Sequence, residues 1–272
     1  NNTAVGNQAL TLNTSGTENT SVGSETLEAN TTGQRNTAVG YRALEDNVTG
    51  NYNTAVGAYA LPENTTGDHN TALGRNALRY NTTADQNTAV GALALDGTTT
   101  GGSNVAVGYY ALKANTTGTG NVAVGVNALD ANTTENYGTA IGFNVLTANT
   151  SGTNPTAVGA YALNANTTGD YNTACGYSAL ELNTTGAYNT AAGHKSLEAN
   201  TTANNNTAFG YVALQANTTG HSNVAIGAAA LDSNQTGNNN TAIGYLSLDK
   251  TLEDANVAVG NYTLRENTTG EN

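Results

Sequence analysis

The sequence predicts an all-β, parallel β-solenoid of about 16 coils, one 17-residue repeat per coil. Three observations carry that reading. First, one phrase recurs sixteen times: Asn-Thr-Ala-Val-Gly, two variable residues, Ala-Leu, two more, then Asn-Thr-Thr-Gly. Its starts run from Asn2 to Asn256, always 17 residues apart except for a last step of 16. A fixed short period means one structural unit stacked on copies of itself. Second, positions 2 and 4 of the unit are β-branched or aliphatic while 3 and 5 are small, which is the period of two expected of a strand. Third, each unit carries one or more glycines and nearly all carry an Asn-Thr-Thr cluster, which are poor helix formers.

Position by position, the unit runs as follows. Position 2 is Thr or Val, residues that exchange freely in strands. Position 4 is apolar and position 9 is Leu in every copy. A strand this short is stable only against copies of itself, about 4.8 Å away. Positions 4 and 9 would then form two aliphatic columns, the expected core: Val39, Leu44, Val56, Leu61, Val107, Leu112, Val124 and Leu129. Position 5 is Gly in all copies and marks a bend or close approach, as at Gly40 and Gly57. Positions 12 and 15 supply turn chemistry through Asn47, Gly50, Asn64 and Gly67. Stacked Asn side chains there can also bond along the axis as an amide ladder. Charges and tyrosines gather at the variable positions 6, 7, 10, 11, 16 and 17, which should face outward. In the short repeat, residues 249–255 replace the Asn-Thr-Thr-Gly corner and should make a local irregularity.

Positions 1, 3 and 5 make a stripe of small residues on the strand's other face. Such a stripe should pack against something large: another protomer, or the opposite wall of its own coil. Ala106, Ala123 and Ala140 are the expected protomer contacts, with Tyr109 and Tyr110 beside them.

Composition excludes several function classes. Charged residues are 10% of the chain, and the net charge is −12 with a pI near 4.4. Binding to nucleic acid or an anionic membrane calls for the opposite sign. No apolar run reaches the length of a membrane span. The single cysteine, Cys175, sits where other copies have Val or Ile and reads as a small buried hydrophobe. The histidines, His69, His194 and His221, fall at different positions of separate coils and read as solvated. No unlike polar groups converge, so no catalytic residue, metal ligand or cofactor site is expected. Corner asparagines lie in glycosylation sequons, for which turn chemistry is the simpler reading. Thr at positions 13 and 14 raises an ice-binding alternative. Residues 1–272 read as a single repeat array, an interior stretch of a longer fibrous protein.

Asn-Val-Ala-Val-Gly at Asn104 and Asn121, and Asn-Val-Ala-Ile-Gly at Asn223, resemble the Ser-Val-Ala-Ile-Gly phrase of trimeric autotransporter adhesin heads. Related phrases occur in phage tail fibres. The resemblance implies a left-handed β-roll and three parallel chains, with a lateral filament bundle as the alternative. It implies an extracellular, cell-surface or virion fibre with a structural and adhesive role toward a host or surface receptor. The coil departs from that family in being 17 residues rather than about 14, with an invariant Leu.

Overall fold

The computed structural model describes residues 1–267. The chain is all-β: sixteen parallel strands of three residues, one per repeat, stacked as a solenoid. No helix occurs among the described residues, so none is long and apolar enough to cross a membrane. Two compact units are distinguished, Asn1–Tyr137 and Gly138–Asn272. The first carries β1 (Thr3–Val5), β2 (Thr20–Val22), β3 (Thr37–Val39), β4 (Thr54–Val56), β5 (Thr71–Leu73), β6 (Thr88–Val90), β7 (Val105–Val107) and β8 (Val122–Val124). The second carries β9 (Thr139–Ile141), β10 (Thr156–Val158), β11 (Thr173–Cys175), β12 (Thr190–Ala192), β13 (Thr207–Phe209), β14 (Val224–Ile226), β15 (Thr241–Ile243) and β16 (Val257–Val259).

Within each unit, like pairs with like. Thr37, Ala38 and Val39 of β3 align with Thr54, Ala55 and Val56 of β4, and Val224 of β14 aligns with Thr241 of β15. Every position therefore forms a column. The short repeat keeps this register, since Val257 still pairs with Thr241. Its missing residue comes out of the corner. Thr251 fills the twelfth position, the Glu253 carbonyl accepts from Asn240 Nδ2 at 2.8 Å, and Asp254 Oδ1 accepts the Asn238 amide at 2.6 Å.

The interior holds positions 1, 3, 8, 9, 12 and 15. In one coil, Asn53, Ala55, Ala60, Leu61 and Asn64 are fully buried, as is Gly67. The expected leucines, Leu44, Leu61, Leu112 and Leu129, are indeed core. The expected valines are not. Val39, Val56, Val107 and Val124 are only half-buried, and the equivalent Leu73 is 47% exposed. The strand turns Ala inward and Val outward, because the interior is too narrow for a second branched column beside Leu. Ala106, Ala123 and Ala140 have no exposed surface, so they cannot touch another protomer. They face the opposite wall of their own coil. The second coil shows what they face: Ser21 replaces Ala at position 3, and its hydroxyl lies 2.5 Å from that of Thr26 at position 8. Two buried hydroxyls satisfy each other where two methyls meet elsewhere.

The narrowness has a backbone cause. Positions 7, 9 and 17 are left-handed along the described coils, and all but Gly120 are residues other than glycine. Leu44, Leu61 and Leu112 have φ of 52°, 51° and 50°. This costs a non-glycine residue roughly 1–2 kcal/mol, and full burial of a leucine side chain returns roughly 1.5–3 kcal/mol. The conformation turns successive peptides over. The Gly40 and Arg42 amides donate backward to Val22 and Ser24, whereas the Leu44 amide donates forward to Ala60. Each coil is thus hydrogen-bonded to both neighbours through a tight corner.

Two asparagine columns complete the wall. At position 12, Asn64 Nδ2 donates to Asn47 Oδ1 at 2.8 Å and to the Gly67 carbonyl at 3.0 Å. At position 1, the Asn53 amide donates to Asn36 Oδ1 at 2.9 Å, and Asn53 Nδ2 reaches the same Gly67 carbonyl at 2.8 Å. The expected amide ladder is present, and a second one stands beside it. Where Thr98 takes the twelfth position, the ladder breaks and Asn81 Oδ1 is left without a partner. Replacing Asn64 by Ala should cost about 3 kcal/mol, because it strands the Asn47 oxygen and leaves the Asn81 amide only its bond to the Ala84 carbonyl. Asn64→Thr, which copies the natural break, should cost less. Urea unfolding of both variants tests this ordering, and equal stability of wild type and Asn64→Ala would refute it.

Candidate functional site

The outward strand residues form the most regular surface. Positions 2 and 4 give parallel columns of Thr and Val with no charged residue among them. Along the fourth position Val5, Leu73, Ile141, Phe209 and Ile226 are 59%, 47%, 39%, 44% and 40% exposed. Cys175 belongs to this column, and the structure corrects the expectation of burial: its thiol is exposed. It follows Val to the outside for the same reason Val went there. Sequence reasoning chose the bulky residue as the inward one, whereas alternation alone marks two faces without saying which is the core.

Aromatic residues make further columns at the bends. Tyr109 and Tyr110 lie side by side, their ring centroids 3.9 Å apart. Tyr109 is exposed, Tyr110 is half-buried, and Lys113 Nζ sits 4.2 Å over the Tyr110 ring. The hydrogen bond that the Tyr109 hydroxyl donates to Tyr110, with partial desolvation, holds the Tyr109 phenol above its ordinary pKa. In the second unit, Phe143, Tyr161, Tyr177, His194 and Tyr211 run through five successive coils at centroid spacings of 5.6, 5.9, 5.3 and 5.3 Å. His69 and His194 stack on tyrosines, and all three histidines are exposed, as expected.

The predicted turn residues are where the sequence put them. Gly40 and Gly57 follow the strand at the bend, and Asn47, Gly50, Asn64 and Gly67 line the corner. The sequon asparagines Asn30, Asn47, Asn64 and Asn81 are fully buried with their amides committed to the ladder. An amide held this way is not presented to a glycosyltransferase by the folded coil. The corner threonines at position 13 are also committed: Thr31 and Thr65 hydroxyls donate to the Val48 and Thr82 carbonyls at 3.1 and 2.9 Å.

Charged groups gather at positions 7 and 10. Glu25, Glu28 and Glu45 each bring an oxygen within 4.8 Å of the others. Arg42 sits among them, 2.7 Å from Glu25 and 2.9 Å from Glu45, so the chain supplies its own counter-charge. Burial raises the Asp96, Asp130 and Asp232 carboxyls above the ordinary range; Arg79 and Lys113 pull Asp96 part of the way back, backbone hydrogen bonds do so for Asp130, and Asp249 pushes Asp232 further up. Asp96 Oδ1 and Asp130 Oδ1 are buried without partners. A carboxyl whose folded pKa is raised binds its proton more tightly folded than unfolded. Stability therefore rises as pH falls through the raised values and levels off below the ordinary carboxylate range, near pH 4. Glu198, where burial is outweighed by hydrogen bonds from Lys195 and Gln215, is lowered and loses its contribution only at still lower pH. The midpoint of thermal unfolding should be higher at pH 5 than at pH 7.5. A lower midpoint at pH 5 would contradict this assignment.

No protein-family profile, curated protein or solved structure matches the chain.

Proposed function

We propose that the chain is a non-catalytic segment of an extracellular adhesive fibre, working as a parallel homo-oligomer, with three chains favoured by the adhesin resemblance. One observation carries the reading: the outward Thr/Val face of the strand column, which nothing in its own unit covers. Parallel sheets are almost always covered on both faces, and an aliphatic column of this regularity is a natural seat for a second copy. The Ala column serves the coil interior, so the interface moves to the Val column. Identical columns on every chain allow three copies to meet about a common axis in register. A shaft of this kind displays the same outer residues many times, which raises avidity without a single strong site. A phage tail fibre is the same reading in another particle.

Sedimentation of the purified chain tests it. A discrete trimer supports the reading, a heterogeneous bundle points to lateral filaments, and a stable monomer at micromolar concentration overturns self-association. Ice binding is a second reading, favoured now by the uncharged Thr/Val columns rather than by the corner threonines, whose position-13 hydroxyls are bonded to backbone. Thermal hysteresis of the monomeric chain would select it.

A further inference from the structure

Acidic residues outnumber basic ones 20 to 8, yet two guanidiniums on one coil make no close ion pair, although Arg79 lies near enough to Glu63 and Asp96 to act on both carboxyls. Arg75 and Arg79 form no ion pair among the described residues, whereas Arg35, Arg42, Lys195, Lys250 and Arg265 all do. Arg75 is exposed and Arg79 half-buried. Both line one cleft of about 280 Å³ with Arg42, Tyr59 and Asn76. Arg42, Tyr59 and Asn76 occupy the same position of three successive coils, so their side chains rise one above another at the strand spacing. Asn76 is the second sign of a site. It is only 8% exposed, its backbone amide is spent on Ala58, and its side-chain amide lines the cleft with no hydrogen-bond partner among the described residues. Its polar atoms are open to the cleft and free to meet a ligand there.

A second cleft of about 230 Å³ adjoins the first. It shares Arg42, Tyr59 and Arg79 and adds Glu45, Asp46, Pro62 and Glu63. The groove is therefore cationic at one end and rich in acceptor oxygens at the other. Arginine forks grip carboxylate or sulfate oxygens in pairs. Carboxylates accept from hydroxyls. A ligand with one oxyanion on a hydroxyl-rich body satisfies both ends. An extended polyanion does not, because Glu45, Asp46, Glu63 and the chain's net charge repel it. The volumes suit one or two sugar rings rather than a long segment.

We propose that this groove binds an acidic saccharide, its carboxylate or sulfate ester held by Arg75, Arg79 and the Asn76 amide and its hydroxyls by Glu45, Asp46 and Glu63. This rests on the adhesive reading and names the chemistry of its receptor.

Calorimetric titration of the full 272-residue chain tests it, with glucuronate and galactose 6-sulfate as probes and methyl glucoside, galactose and inorganic sulfate as controls. At least one acidic sugar should bind about tenfold more tightly than its neutral counterpart and than sulfate alone, with affinity falling as salt is added. Arg75→Gln and Arg79→Gln should each weaken it about tenfold. Arg35→Gln, on a different column, should leave it unchanged. Neither cleft arginine belongs to the buried core, and unchanged circular dichroism and sedimentation show that the variants are folded. No binding of either acidic sugar at millimolar concentration, or binding indifferent to Arg75 and Arg79, overturns the proposal. Sulfate binding as tight as the sugar overturns the saccharide assignment. An Arg75→Gln/Arg79→Gln chain that still self-associates and still adheres to cells defeats the groove while leaving the fibre reading intact. A monomer that binds the acidic sugar does the reverse.

Discussion

A single Gly108→Ala substitution should destabilise the first unit by about 3 kcal/mol or more. Two independent penalties meet at that residue. Its φ is +140°, a region L-residues rarely adopt, and an added Cβ would lie 2.4 Å from the Gly125 carbonyl oxygen and 2.6 Å from its carbon. Those are backbone atoms of the next coil, fixed by the strand stacking, so neither can swing aside. The invariant position-5 glycines share the feature, with φ from +126° to +143°. Gly67 is a useful contrast. Its added Cβ would meet the Asn64 side chain at 2.4 Å and the Ala84 carbonyl at the same distance, yet its φ is not left-handed, and the chain itself places Ala84 and Ala203 at that position. Gly67→Ala should therefore cost clearly less than Gly108→Ala. Urea denaturation of both variants decides the matter; equal losses, or a loss under 1 kcal/mol at Gly108, would show that the close approach is relaxed in solution. Because repeat arrays couple only through neighbours, the Gly108 defect should also split the unfolding transition.

Ala106→Glu and Val107→Glu, adjacent substitutions to the same residue, should behave oppositely. Ala106 is fully buried against the far wall of its coil, with no basic group and no room for a carboxylate. An unpaired charge there should cost several kcal/mol and unfold the central coils. Val107 is half-buried and faces out, so its Glu variant should stay folded by circular dichroism. If the Thr/Val face is the protomer interface, Val107→Glu combined with Val90→Glu should also convert the oligomer to monomer, since like charges would be buried at the seam. A folded Ala106→Glu chain beside an unfolded Val107→Glu chain would invert the assignment of strand faces.

Repetition made much of the molecule readable. The period located one strand per coil, and the Thr-Ala-Val phrase marked its three residues. Leu at position 9 was recognisable as core because nothing else in the unit is both large, apolar and invariant. Asn at position 12 announced its ladder through side-chain chemistry alone. The arginine groove left only a weak signal: Arg75, Asn76 and Arg79 are unremarkable until coils are stacked and Arg42 and Tyr59 come into line with Asn76. Asn76 carries no signal of its own, because the seventh position is also Asn at Asn127 and Asn144 and polar in many other copies.

The sequence by itself determined the all-β class, the 17-residue coil, the parallel in-register columns and the corner chemistry, because each follows from local pattern repeated at one spacing. The tertiary structure alone decided which strand face looks inward. Ala and Val alternate on two faces that are both apolar, and alternation carries no information about the space available between walls. That space is set by left-handed residues at positions 7 and 9, which close the coil too tightly for Val beside Leu. Val39, Val107 and Cys175 were consequently turned out to the surface, and Ala38, Ala106 and Ala140 were turned in.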